Sequence, residues 1–532
     1  MNSLTIAAVS IFLFLFGYHF YGNRLTKLYG VSESTVTPAH KHYDGVDYVP
    51  AKNWLVLFGH HFSSIAGAGP IIGPIIAMSI WGWGPTILWV ILGSIFIGGV
   101  HDFGSLILSV KKQGRSIADI TEAVISRKAK IFFASFVWLA LILVIAVFVY
   151  LCANTLAFEP KIVIPTIGLI PVAVLIGYLF YNMKANQTLT TLLGLLSLVL
   201  LIILGEKFPV QIEMFNPQPF WSYFLLIYCF IASVMPVQIL LQPRDYLSAY
   251  LLIFGMLFGY LGVLISHPNM SLPFFTTLHL QDNAIWPMLF VTVACGAISG
   301  FHSLIASGTT SKQLATEKDA KKIGYGAMLA EGAVAVLTVI VVASSIKSQQ
   351  AFLEFLGKGG SGPIGAFGYG YNAVTKTILA GLGGFFAILI LNSFILTTLD
   401  TATRIGRYLT HELFGVKNRY LATLIVVVLS GWLGLSGNWN KIWPIFGAAN
   451  QLVAALALLV ITMWLLSRSV SIIYTVIPCG FMLLTTIGAL LYSLPGYFCN
   501  KDILLSLISV ALLILAAYML YEVYIFISSK KK

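Results

Sequence analysis

Long apolar runs separated by short polar stretches pattern this chain from end to end. A helix needs about 20 apolar residues to cross the hydrocarbon core of a bilayer. On that rule fifteen spans are predicted, near residues 4–21, 54–80, 85–110, 131–156, 162–183, 188–205, 220–241, 246–266, 286–306, 324–346, 378–402, 420–435, 444–467, 471–494 and 503–528. The fold class expected is an all-α polytopic membrane protein. One run resists the simple reading. Within 54–80 lies GHHFSSIAGAGPIIGP, whose glycines, prolines and paired histidines are built to break a helix.

Composition agrees with the pattern. The chain is 58% hydrophobic and only 9% charged, where soluble domains carry about a quarter charged residues. Its net charge of +12 needs no nucleic-acid partner, because Lys and Arg gather in cytoplasmic loops of membrane proteins. Alternating the predicted loops between two sides places 24 of the 31 Lys and Arg on one side and 7 on the other. The richer side is expected to be cytoplasmic, with the N-terminus outside and the C-terminus inside. The N-terminal run lacks a basic leader and a small-residue cleavage site and reads as a retained span. The five scattered cysteines suggest neither a disulfide framework nor a zinc site. No phosphate-loop, kinase or nucleophile-elbow pattern occurs, so no ATP hydrolysis, catalytic residue, cofactor or metal is expected.

Candidate chemistry starts at the broken run. Gly67, Ala68, Gly69 and Pro70 remove side chains and then a backbone donor. Backbone groups freed in lipid persist only where protein or a polar cavity surrounds them. A half-helix starting near Pro70 would aim its positive dipole end at mid-membrane, where it suits a carboxylate. The alternative is a kinked helix using small residues for close contact. A second break is expected in IASVMPVQILLQPRDY, with Pro236 mid-span and Ser233 and Gln238 beside it; Arg244 and Asp245 follow at the inner face. The first break falls in the second span and the other in the seventh, in opposite orientation. That is the arithmetic of a five-plus-five inverted repeat. It divides the chain into 1–53 (first helix and loop), repeats at 54–205 and 220–402, and accessory helices at 403–532.

The stretch CGAISGFHSLIASGTTSK is oddly polar for a span and offers Ser299, His302, Ser303, Thr309 and Thr310 for ion coupling. Scattered hydroxyls usually bond back to their own helix; the histidine among them carries more weight. Ionisable groups inside spans are functional hypotheses by default. Asp102 reads equally as proton carrier or structural partner, and Glu331 as structural. Asp400 is expected to pair with Arg404 one turn away. His60, His61, His101 and His302 lack the spacing of a metal motif and suit hydrogen bonding or proton relay. The glycine-rich 347–377 segment reads as a solvated connector or an outer lid.

At these residues the chain resembles the carbon starvation protein A family, through DGVDYVPAKNWLVLFGHHFSSIAGAGPIIGP, HDFGSLILSVKKQGRSI, LLQPRDYLSAYL, CGAISGFHSLIASGTTSK, TTLDTATRIGR and IWPIFGAANQLVAALAL. The resemblance implies a bacterial inner-membrane transporter with a leucine-transporter-like 5+5 inverted-repeat core, importing peptides, or pyruvate with protons, when carbon is scarce. Carried over by position, 67–70 and 233–236 would be the discontinuous substrate-binding segments, and 299–310 would face the first break. Partners expected are a small carboxylate-bearing substrate, the lipid bilayer and a coupling proton, with sodium as the alternative ion. A nutrient-sensing membrane receptor is the reading from another class, although no cytoplasmic loop is long enough to be an output domain.

Overall fold

The computed structural model describes all residues except 214–215, 281–282, 358–359, 436–438 and 531–532. In chain order the principal helices are α1 (Ser3–Leu28), α2 (Trp54–Ala66), α3 (Gly69–Trp81), α4 (Trp83–Lys111), α5 (Arg127–Phe158), α6 (Pro160–Asn182), α7 (Gln187–Lys207), α8 (Pro217–Val234) and α9 (Leu241–Ser266). Then come α10 (Gly300–Gly308), α11 (Gly326–Ser345), α12 (Gly362–Leu379), α13 (Gly383–Phe414), α14 (Arg419–Gly434), α15 (Trp439–Ser467), α16 (Ile473–Cys499) and α17 (Ile503–Lys530). Among the described residues the regular structure is all helical apart from a two-residue strand pairing of His279–Leu280 with Asn283–Ala284 and one isolated bridge.

Among the described residues thirteen helical spans are long and apolar enough to cross a membrane, where fifteen were expected. The two others differ for physical reasons. At 16 residues α14 is short, and the run near 286–306 is interrupted rather than continuous.

Burial sorts the helices into a centre and a periphery. The apolar windows of the α2–α3 span and of α13 are 89% buried, whereas that of α7 is 28% buried and presents leucines outward. Two helices of equal length, α5 and α13, each 32 residues, lie side by side at the centre. They run antiparallel: Thr155 late in α5 donates to Asn392 early in α13, and Trp138 earlier in α5 donates to Thr410 late in α13 at 2.8 Å.

The expected break at 67–70 is present. Asn53 starts α2 by accepting from the Val56 amide at 2.9 Å, and α2 ends where Gly67 takes φ +27° and ψ −152°. A side chain at that φ is strained. After Ala68 the path resumes as α3, with Pro70 in its first turn, where its missing N–H costs nothing.

The break expected at Pro236 is not mid-span. Helix α8 stops at Val234, and 235–240 form the connection to α9. Proline disfavours a helical residue before it, and Met235 is accordingly extended, at φ −71° and ψ 150°. The second interrupted span lies at 293–299, between a helical turn ending at Thr292 and the start of α10.

The 347–377 segment is largely helical where described: Gln349–Leu356, then α12 packed on α9, α11 and α13. Its residues 358–359 lie outside the described residues.

Candidate functional site

The two interruptions touch. A Cβ built on Gly69 would sit 2.3 Å from Cys295 Cβ, and one on Gly73 would sit 2.7 Å from the Thr292 carbonyl oxygen. Only the absence of side chains lets the backbones approach this closely.

Each freed backbone group must find a partner in a dry interior, and here side chains from neighbouring helices supply many. At the first break Thr398 of α13 donates to the Ser64 carbonyl at 3.0 Å, and the Ser64 hydroxyl meets Thr401 at 3.1 Å. At the second, Trp89 donates to Val293 O at 3.1 Å and Ser94 to Gly296 O at 3.0 Å, both from α4. From α15, Gln451 donates to Ile298 O at 3.0 Å, while Asn450 accepts from the Phe301 amide at 2.9 Å. Ser94 opens a five-residue π-helical stretch within α4, a distortion common at functional sites.

Beside this junction lies a fully buried cluster. Asp102 accepts from His101 Nδ1 at 2.7 Å and from His302 Nδ1 at 2.9 Å. The far nitrogen of His302 stands 3.2 Å from a Glu331 carboxyl oxygen, without the alignment of a hydrogen bond. One imidazole thus sits between two carboxylates from different helices, α4 and α11. His61 of α2 meets Thr310 at 2.8 Å, and its Nε2 has no hydrogen-bond partner among the described atoms.

A second network lies on the other side of α2. His60 donates from Nδ1 to Asp245 at 2.6 Å; Asp245 also accepts from Arg244 Nη2 at 2.7 Å. Arg244 reaches on to Asp400 and to the Tyr228 hydroxyl, and Tyr228 donates to Asp400 at 2.7 Å. This corrects the expected pairing of Asp400 with Arg404. A buried carboxylate needs a cation at its own depth, and Arg244 in the first turn of α9 supplies it. Arg404, one turn further along α13, instead holds Asp47 at 2.7 Å and the carbonyls of Ala232 and Met235.

Asp47 belongs to the segment linking α1 to α2 and is also 3.2 Å from Arg407. Burial pushes its carboxyl up, but Arg404, then Arg407 and Lys312, outweigh that and hold it at about 2. The 45–47 turn reaches the α8–α9 connection too, since Val237 N donates to Val46 O at 3.0 Å and Gln238 Nε2 to Gly45 O at 2.8 Å. It therefore fastens one end of the bundle.

Of the residues named from sequence, the structure gathers Gly67, Gly69, Pro70, His61, Asp102, His302, Thr310 and Glu331 around the junction. Ala68 lies buried between α2 and α3. Ser299 is held by Asn450, whereas Ser303 and Thr309 bond back to Gly300 O and Ile305 O within their own turns. Ser233 meets Thr423 at 3.3 Å; with Pro236 and Gln238 it lies at the bundle's end, away from the junction. Asn450, Gln451, Tyr228 and Asp47 are not among the residues named from sequence. An adjacent amide pair in the apolar run FGAANQLVAALAL was the available signal for the first two.

Many spans, two interrupted and apposed helices, and buried titratable side chains beside them form the build of a membrane transport protein. The chain belongs to the carbon starvation protein CstA family, whose description matches residues 2–360 and 358–489. It is 32% identical to "Peptide transporter CstA" of Escherichia coli (strain K12), across 84% of this chain and 74% of that one. It is 29% identical to "Pyruvate/proton symporter BtsT" of the same organism, across 92% of this chain and 81% of that one. Among solved structures, a mutant of the Eremococcus coleocola manganese transporter aligns at 12% identity with a TM-score of 0.48, over 91% of this chain and 99% of that one.

Proposed function

We propose that the chain is a bacterial inner-membrane importer of small carboxylate-bearing nutrients, short peptides or pyruvate, driven by proton symport when carbon is scarce. The observation that carries this reading is His302, held between Asp102 and Glu331 beside the two touching breaks. An imidazole between two carboxylates is a proton-binding unit, and the helix starts at Gly69 and Gly300 offer positive dipole ends to a carboxylate. In the cycle we infer, cargo enters where 67–70 meets 293–300. Protonation of the Asp102 cluster then frees α10 from α4, and the bundle rocks open at its Lys/Arg-rich end. That end faces the cytoplasm, with the N-terminus outside.

The architecture we infer is an inverted repeat whose halves are matched by the two interrupted spans. The second half of each interrupted span packs on the other unit: α3 on α11, and α10 on α4. The 32-residue helices α5 and α13 are a further pair. On this division α6 and α7 are an inserted hairpin, the first unit closes with α8 and α9, and the second runs from 285 into α15.

A sodium-coupled reading is favoured by one feature, the Ser64 carbonyl with the Thr398 and Thr401 hydroxyls at the first break. The deciding experiment loads purified chain into proteoliposomes and follows labelled pyruvate and labelled dipeptides, with pH and sodium gradients imposed separately. Accumulation driven by an inward proton gradient is expected, and Asp102→Asn should lower it by roughly tenfold or more. Uptake that follows only the sodium gradient would overturn the proton assignment. No accumulation of either substrate under any gradient would favour the receptor reading instead.

A further inference from the structure

We propose that the Lys/Arg-rich end carries a binding cleft for a phosphate-bearing anion, with Lys41 and His42 on one wall and Lys112 and Arg115 on the other. Binding there is independent of the transport reading; its effect on transport rests on that reading.

The cleft encloses about 630 Å³, within the range of roughly 300–1,000 Å³ usual for small-ligand sites. Ile120 and Ala123 of the short helix Ile117–Val124 line it along with these cations. Two of its cations already have partners: Lys111 bonds Glu317 at 2.8 Å, and Arg115 lies 3.4 Å from Asp119. Lys41 and Lys112 have no acidic partner among the described residues. A general excess of positive charge at this end follows from topology. Topology does not explain why unpaired lysines from two separate segments converge on one concavity with aromatic rings. Tyr48 lines the cleft, and His42 stands edge-on to it at 5.8 Å while bonding Gln113 at 3.1 Å. Cations from opposite walls suit a multiply charged oxyanion, which accepts several charge-assisted bonds at once.

The cleft is joined to the clamp on α13. Asp44 accepts from the amides of Val46, Asp47 and Tyr48 at 2.8–2.9 Å, which makes 44–48 one stiff turn. That turn presents Tyr48 to the cleft and Asp47 to Arg404 and Arg407. The opposite wall is seated directly on it, since a Cβ on Gly114 would come 2.9 Å from the Tyr48 ring. An anion bridging both walls therefore stiffens the piece that holds this end shut, and slows transport.

The test is calorimetric titration of the full-length purified chain with sodium pyrophosphate at low ionic strength. One site per chain is expected. The Lys41→Ala/Lys112→Ala double variant should lose about tenfold or more in affinity, and Lys112→Glu should bind still more weakly. Lys41 is exposed and Lys112 half-buried, and unchanged thermal unfolding of the variants controls for folding. A competition arm uses nanodiscs of phosphatidylglycerol or phosphatidylcholine. Displacement of pyrophosphate by phosphatidylglycerol alone assigns the site to a lipid headgroup, and no displacement assigns it to a soluble phosphate compound. Absence of saturable binding, or equal affinity in wild type and both variants, overturns the site. Pyrophosphate enclosed with the Lys/Arg-rich face should slow uptake by wild type and not by the double variant. Binding without slowing overturns the link to the clamp.

Discussion

Individual residues show how burial and partnership decide roles. Asp102, His302 and Glu331 were legible in sequence because an ionisable group inside an apolar run is conspicuous. Their mutual contact was not, since it joins three segments that lie far apart in the chain. Asp400 shows the opposite error: helical spacing nominated Arg404, but depth in the bundle selected Arg244. Asp47 escaped notice entirely, because a single acid in a polar linker carries no signal until two arginines close on it. Its behaviour with pH follows from its environment. An aspartate titrates near 3.9 when unfolded, and Asp47 is held at about 2 in the folded chain. A depressed carboxyl lends stability that is fully present above about pH 4 and is lost only as pH falls through about 2. Asp47→Asn should therefore destabilise the purified chain by roughly 1–3 kcal/mol, and by the same amount at pH 5.5 as at pH 7.5. A thermal-unfolding difference that shrinks between those two values would show that Asp47 titrates within that range and is not held at about 2.

At the scale of elements, the two interruptions were unequally visible. The first is announced by glycines flanking an alanine and followed by proline, a sequence with few other uses inside a span. The second, in VACGAISG, has no proline, and its stretch stands out in sequence for polarity rather than for a break. Proline misled at 236, where it ends a helix rather than dividing one. The contact between the breaks makes a compensation test. Gly69→Ala places a methyl against Cys295 and should cost about 1–3 kcal/mol, as overpacking does. Adding Cys295→Gly removes both atoms that it strikes and should restore most of the loss. Thermal unfolding of the single and double variants reads the difference; equal destabilisation of both would mean that the backbones are not in contact.

For the whole molecule, the class of fold was readable from apolar run length alone, as were all but two of the spans. What failed was continuity: run length cannot distinguish a rod from two half-rods. Orientation has a direct check. Of the five cysteines, four are buried and Cys499, at the end of α16, is exposed. If the N-terminus is outside, as proposed, Cys499 faces outward. A membrane-impermeant maleimide applied to intact cells should label it, and Cys499→Ser should abolish labelling. Labelling that appears only after the cells are opened would reverse the topology.

His60 and His61 are successive residues of α2, yet they answer to different networks, one to Asp245 and the other to Thr310. Successive positions on a helix point about 100° apart, so this half-rod is pinned on two flanks. A lever held by two pins does not swing when one is withdrawn. On the proposed symport reading, release then needs coincident events on both flanks, the mechanical condition for a carrier that spends no gradient on empty turnovers.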